Sequence, residues 1–420
     1  MQRSHESSLA MSQMELFSPE DMGGISLEDV FSAYMDCRRH KRGTYNALAF
    51  EAEYERKCVD LWRAINDGTY SPSRSIVFIV FKPVQREVFA PSFESRVVDH
   101  LIAAKIGPLL EETFIDDNYA TRKGKGTLYG INRIYGHIRE CSANYTRDCY
   151  VMKLDVRSFF MSICKRDLYV NLSEYLKANY KKSDLPALLF ILHVILLDNP
   201  EKHCVRRCPR SYWQGLPVEK SLFHGDGNHG LPIGRLTSQL CAAFMLNPLD
   251  HLVTEQWHVS YYGRYVDDMV LVHESKEYLL DMKDKICLWL SDHGLVMHPR
   301  KFYLQHYEKG ITFIGGMLMP GRVYVSNRSF GFCMDFIECW NHLAHSDVSF
   351  AEIHACEFVS VLNSYLGHMI HFASYNLRKK VISKIGKEWW HVMYVQGHYE
   401  KTVVKRQYDQ TLRFHSLVIN

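Results

Sequence analysis

Tyr265-Val266-Asp267-Asp268 places two adjacent carboxylates between apolar runs. The surrounding stretch, SYYGRYVDDMVLVHE, reads as strand, acidic turn and strand, so the pair is predicted at the tip of a β-hairpin. Adjacent acids repel, and burying them unpaired is costly. Two readings follow: a divalent-cation site, or an exposed acidic turn. A third acid bears on the choice. YVMKLDVRSFF, residues 150–160, reads as a buried strand whose apolar run is interrupted by Asp155. If that strand neighbours the hairpin, the carboxylates converge. Such acids can hold two Mg²⁺ ions that activate an attacking hydroxyl and neutralise a leaving oxygen in an in-line displacement. All-oxygen, partly hydrated ligation suits Mg²⁺ rather than zinc. Taken singly, Asp155 has the alternative reading of a capping or salt-bridged acid at a strand end.

The elements that must position these acids alternate along the chain. Ser26-Leu27-Glu28-Asp29 has the pattern of a capping box opening a short helical extension, after a polar, irregular stretch to about residue 28. Helical apolar spacing runs from about 44 to 66, IVFIVFKP at 76–83 is strand-like, and helices are predicted over 94–113 and 127–141. ALLFILHVILLD at 187–198 is a buried helix. An insertion rich in Gly, Pro and His follows, at about 199–230. Leu231-Pro232-Ile233-Gly234 leads into an apolar helix through Leu249, ahead of the acidic hairpin. A helix at 276–292 and a strand pair around 311–326 complete the alternation, and residues 330–420 read as wholly helical with basic runs.

With 420 residues and 47% hydrophobic content, the chain can bury a large core in two or three domains. The N-terminus lacks an apolar secretory segment and no apolar run reaches membrane-spanning length, so a cytoplasmic protein with no membrane partner is expected. Twelve scattered cysteines in such a chain are expected as reduced thiols. His203-Cys204 with Cys208 is a weak zinc pattern, lacking a second Cys pair. Net charge is only +3, but basic clusters recur at Arg38-Arg39-His40-Lys41-Arg42, Arg122-Lys123-Gly124-Lys125, Arg206-Arg207, Arg378-Lys379-Lys380 and Lys405-Arg406. Each alone is an ordinary solvated face. Together they suit a groove that tracks a phosphate backbone.

Taken in order, these segments resemble a family. Asp155 in LDVRSFF, Leu231 to Gln239 (LPIGRLTSQ) and Tyr265-Val266-Asp267-Asp268 are similar to the palm motifs of reverse transcriptases. Upstream, Arg86 to Pro91 with Arg96-Val97-Val98 resembles the fingers motif, and Tyr119 to Thr127 resembles the segment after it. Downstream, His298-Pro299-Arg300-Lys301 resembles the lysine-bearing motif and Phe313-Ile314-Gly315-Gly316 the primer grip. The resemblance covers roughly residues 75–325. Ile233-Gly234 with Ser238-Gln239, Trp213 to Pro217, Lys220 to Phe223 and Asn363 to Gly367 narrow it to the diversity-generating retroelement enzymes.

That resemblance implies an α+β right-hand polymerase. It would have an N-terminal extension (1–43), fingers (44–150), a palm with an RRM-like antiparallel sheet (151–325, insertion included) and an all-helical thumb (326–420) that grips the hybrid duplex. It implies that Asp155, Asp267 and the backbone carbonyl of Val156 hold two Mg²⁺ ions, with Mn²⁺ as a substitute, and that Asp268 is an outer carboxylate. Arg86, with Lys82 second, would meet the incoming triphosphate, Arg being suited to bidentate phosphate recognition. Phe160 would stand under the sugar, while Ile233, Gly234 and Gln239 would line the nucleotide site. Lys301 would protonate the leaving pyrophosphate. Arg96, Arg122, Lys123, Lys125, Phe313, Gly315, Gly316 and Tyr365 would contact nucleic acid.

An apolar Ile233, where a replicative enzyme has a polar side chain, would weaken checking of the nascent pair. The implied partners are template RNA, cDNA, their RNA–DNA hybrid, dNTPs and a basic oligomeric accessory variability protein. The implied setting is bacterial or phage-encoded, with adenine-directed misincorporation during mutagenic retrohoming. Two alternatives share these motifs: an antiphage-defence reverse transcriptase, and a catalytically silent RNA-binding scaffold.

Overall fold

A computed structural model describes residues 24–39, 44–82, 84–347 and 349–409. The chain forms two compact units, each assembled from separated segments: the described parts of Met1–Lys123, Lys153–Met269 and Leu280–Phe302 in one, and of Gly124–Met152, Val270–Leu279 and Tyr303–Asn420 in the other.

In the first unit, helix Leu27–Arg38 begins with the predicted capping box: Ser26 Oγ accepts from the Asp29 amide, and the Asp29 carboxylate accepts from the Ser26 amide. Its apolar face is buried through Val30, Ala33, Tyr34 and Cys37, and Tyr34 packs edge-on against Phe93. The segment read as an extension therefore contributes to the core. The rest of the Arg38–Arg42 cluster, residues 40–42, lies outside the described residues. Lys105 ties this helix down, reaching Asp29 Oδ2 at 2.6 Å and Asp184 Oδ2 at 2.7 Å. Helix Leu185–Leu196 is apolar nearly all round, as its sequence requires of a helix enclosed by others.

The expected strand at 76–83 is β1 (Ile76–Val80), paired antiparallel with β2 (Arg86–Ala90). β3 (Tyr150–Asp155) carries the third acid. β4 (Val205–Arg206), within the insertion, adds in parallel to the free edge of β1. The acidic hairpin is β5 (Tyr262–Tyr265) and β6 (Asp268–His273), with β6 beside β3 in the sheet; β7 (Tyr303–His306) belongs to the second unit. The strands carrying Asp155 and Asp268 are thus neighbours.

In the second unit, the expected strand pair around 311–326 is a three-stranded antiparallel sheet of β8 (Ile311–Phe313), β9 (Gly316–Met319) and β10 (Arg322–Val325). Helices Asn327–Ser346, Ala355–Met369 and Tyr375–Ser383 follow around an aromatic core in which Phe358 stacks on Trp389 at 3.8 Å. The tail is not wholly helical. β11 (Met393–Gln396) and β12 (Lys401–Val404) form a hairpin, with Gly397 and Tyr399 at positive φ in the turn and β-branched Thr402, Val403 and Val404 in the returning strand. Asn363 fastens it: Nδ2 donates to the Thr402 carbonyl at 2.8 Å, and Oδ1 accepts from the Thr402 amide at 2.7 Å. Among the described residues, no helix is long and apolar enough to cross a membrane.

Candidate active site

The acidic turn is two residues long, Val266-Asp267, between Tyr265 at the end of β5 and Asp268 at the start of β6. Val266 has φ +58°, a left-handed backbone that a β-branched residue adopts only under constraint. The constraint comes from Arg264. Its Nη1 donates to the Val266 carbonyl at 2.8 Å, while Nε and Nη2 hold the two oxygens of Asp250 at 2.7 and 2.5 Å. Tyr262 Oη donates to the same carboxylate at 2.7 Å. Arg264 and Asp250 are both fully buried, so their charges are screened by each other rather than by water. The Arg264 backbone is pinned as well, its amide to the Asp117 carbonyl and its carbonyl to the Tyr119 amide. Nothing in the spacing of Asp250, Tyr262 and Arg264 marked them; an arginine inside strand β5 and an acid in the helix Asn247–His251 were the available signals.

Asp155 ends β3 and is 6% exposed. Its Oδ2 accepts from Lys301 Nζ at 2.7 Å, while Oδ1 is buried with no hydrogen-bond partner. The segment carrying Lys301 is brought here by backbone pairing: the His298 amide donates to the Asp155 carbonyl, and the Arg157 amide to the Val296 carbonyl. Asp268 faces Lys153 Nζ at 3.1 Å. Burial first, then the charges of Asp155 and Asp268, push the Asp267 carboxyl up to about 7. In this arrangement the acids are drawn toward lysines, and among the described residues no three His, Cys, Asp or Glu side chains are gathered as a ready-made metal cage. The donor chemistry nonetheless fits a hard divalent cation, since Asp155 Oδ1 lacks a partner and Asp267 carries mutual repulsion that only positive charge relieves.

The raised Asp267 carboxyl has a thermodynamic sign. Between about pH 4 and 7 the native state keeps a proton that the unfolded chain releases, so this group's contribution to stability declines as pH rises through that window. In chelator, the melting temperature of Asp267→Asn should therefore rise relative to the wild type between pH 5 and 8, by on the order of a few °C. A gap independent of pH would show that the carboxyl ionises in the ordinary range.

The segment before the apolar helix is held tightly. Leu231 N–H donates to the Phe160 carbonyl at 2.8 Å, and the Ile233 carbonyl accepts from the Phe89 amide at 2.8 Å. Gly234 has φ +118°, and a Cβ there would lie 2.7 Å from the Phe89 carbonyl oxygen, so only glycine fits. Arg235 turns away from this surface. It is 2% exposed and bonded to Asp99, whose Oδ1 also accepts from Thr237 Oγ1.

Residues 85–318, more than half of the chain, match the family described as reverse transcriptase (RNA-dependent DNA polymerase). The chain belongs to the reverse transcriptase family. No curated protein matches it in sequence. Solved structures similar to it include apo telomerase from Candida tropicalis truncated from the C-terminal domain (14% identity, TM-score 0.43, 61% of this chain and 56% of that one). Telomerase from Candida albicans in complex with a TWJ fragment of telomeric RNA is also similar (10%, 0.43, 82% and 64%), as is apo telomerase from C. tropicalis (10%, 0.42, 83% and 66%). This reverse transcriptase chain thus spans about three-fifths of the length of those relatives.

The other expected site residues of this reverse transcriptase are placed unequally. Arg86 is exposed and makes no side-chain hydrogen bond or ion pair among the described residues; Lys82 is exposed on the same hairpin. Phe160 is half-buried against Phe159, and Gln239 is exposed. Arg96 lines a cavity of about 400 Å³ together with Arg207, over a floor of Ile76, Phe78 and Phe93. Lys123 is exposed, and Lys125 lies over the Tyr129 ring.

Two expectations, for Arg122 and Phe313, need correction. Arg122 directs Nη1 to the Ile115 and Asn118 carbonyls, so its guanidinium braces its own loop. Phe313 is fully buried, a core residue rather than a surface for nucleic acid. Beside it, Ile314 has φ +37° and Gly315 +96°, and Gly316 is seated on Ile131. Tyr365 is half-buried beside Phe336. Among the described residues no third ligand gathers with Cys204 and Cys208: Cys204 Sγ donates to the Glu201 carbonyl, and His203 pairs with Asp198.

Proposed function

We propose that this reverse transcriptase family member is an RNA-directed DNA polymerase of a diversity-generating retroelement, copying a template RNA into cDNA with errors directed at adenines. What supports the polymerase reading is the placement of β3 beside β6, with the charges of Asp155 and Asp268 acting on Asp267 in the turn and Lys301 on Asp155.

Asp155, Asp267 and the Val156 carbonyl would hold two divalent cations, Mg²⁺ or Mn²⁺ in its place, with Asp268 as the outer carboxylate. Bound cations supply Lewis-acid activation of the primer hydroxyl and charge neutralisation at the transferring phosphoryl group. Arg86 binds the triphosphate through its unpaired guanidinium. Phe160 bounds the sugar pocket. Lys301 orients Asp155 and is the proton donor within reach of that carboxylate.

The subgroup reading rests on Ile233-Gly234 with Ser238-Gln239 and on the WQGLP and NSYLG stretches. Ile233 is bonded through its backbone to Phe89, which leaves an apolar side chain as the feature of that position. Such a residue offers no hydrogen bond to penalise a mispair. Template RNA, the RNA–DNA hybrid and a basic oligomeric accessory protein are the partners this reading requires. The test is sequencing of cDNA made by the purified protein on its neighbouring RNA. Adenine-directed errors are expected from the wild type, and Ile233→Gln should lower them by about 10-fold. Accurate cDNA from the wild type overturns the subgroup reading, and absence of any cDNA overturns the polymerase reading.

A further inference from the structure

Glu87 follows Arg86 on β2 and is fully buried. Its carboxylate is met by three donors from the insertion: Trp213 Nε1 at 2.6 Å and Ser221 Oγ at 2.8 Å on Oε2, and the Leu222 amide at 2.8 Å on Oε1. A buried carboxyl so surrounded is satisfied only as an acceptor on both oxygens.

The insertion also grips both sides of the adjoining hairpin. Gln85 Nε2 donates to the Tyr212 and Gln214 carbonyls at 2.8 and 3.2 Å, and Tyr212 stands edge-on to Phe81 at 5.1 Å. Leu222 packs into a small core with Val77 and Phe89. β4 then extends the sheet beyond β1, with the Val205 and Arg207 amides donating to the Ser75 and Val77 carbonyls. Lys82 and Arg86 are therefore flanked by anchored residues, Phe81, Gln85 and Glu87. On the same strand, Phe89 bonds Ile233 and abuts Gly234.

We infer that Glu87 is a positioning residue: it locks the 199–230 insertion onto β2 and so fixes Arg86 and the Ile233-Gly234 segment for the incoming nucleotide. The insertion is part of the nucleotide site's frame rather than a peripheral loop. This rests on the polymerase reading.

The physical chemistry supplies a specific test. Glu87→Gln is nearly isosteric but puts an NH₂ group against a ring of donors. With its oxygen toward Leu222, the amide nitrogen can donate to Ser221 but still meets the Trp213 N–H. Removing that N–H with Trp213→Phe resolves the clash. The measurement is steady-state primer extension with varied dNTP, alongside melting temperature, for the wild type, Glu87→Gln, Trp213→Phe and the double variant.

Glu87→Gln should raise the KM for dNTP about 10-fold with kcat changed less than about threefold, and the double variant should return to the Trp213→Phe value. A KM that does not move overturns the inference. So does a fall in kcat and melting temperature that the double variant fails to relieve, because that is general destabilisation. If Glu87→Gln does not fold, Trp213→Phe alone decides: it should raise KM two- to threefold, and an unchanged KM overturns the inference. A wild type without primer extension would instead overturn the polymerase reading.

Discussion

Asp267→Asn should lower the rate of primer extension at least about 10³-fold, equivalent to about 4 kcal/mol of lost transition-state stabilisation, while leaving the protein folded. The amide keeps the shape of the turn but, on the proposed mechanism, removes one of the charges that would hold cations and offset the developing charge on the transferred phosphoryl group. Its effect on stability has the opposite sign, since the native carboxyl is pushed up to about 7 by burial and by Asp155 and Asp268. Loss of activity with unchanged or raised thermal stability is thus the expected pair of results. Asp155→Asn should be comparably inactive, but it also frees Lys301, so Asp267 gives the cleaner reading. Extension within about 10-fold of the wild type for Asp267→Asn would remove this carboxylate from the chemistry.

Arg264→Ala should destabilise the first unit by about 3–5 kcal/mol, because it leaves Asp250 buried at full desolvation with only Tyr262 as a donor. It should also relax the acidic turn, since Arg264 Nη1 holds the carbonyl of Val266, whose backbone is left-handed. These two consequences separate experimentally. Replacing both members, Arg264→Leu with Asp250→Leu, removes the unpaired charge and should recover much of the stability lost in urea unfolding. It should not recover primer extension, because no donor reaches the Val266 carbonyl. Full recovery of both would show that the network serves stability alone.

How far the site was legible depended on the kind of signal each residue left in the chain. Asp155, Asp267 and Asp268 stood out because acids interrupt apolar strand patterns, where burial makes an unpaired charge expensive. Gly234 was legible as part of a motif, but the reason for glycine was not: the obstructing atom is the Phe89 carbonyl oxygen, 145 positions earlier in the chain. Arg122 and Phe313 were read as nucleic-acid contacts from their neighbours in sequence, yet one is bonded to its own loop and the other is enclosed in the core. The tail hairpin was missed because its two four-residue strands are shorter than the window in which a helical run and a strand can be told apart. Insertion residues such as Trp213 and Ser221 carry no periodic signal at all. Their meaning lies in a carboxylate more than a hundred positions away.

By itself the sequence determined which family the chain belongs to, because that depends on the types and order of a few motif residues: three acids, a following lysine, and an arginine after a β-branched run. Tertiary structure alone decided how those groups are held. It set Arg264 beneath the acidic turn, pointed Arg235 into Asp99, and closed the insertion over Glu87. Each of these is a buried polar contact between distant segments, whose donors and acceptors must be satisfied locally in space but need not be near one another in the chain.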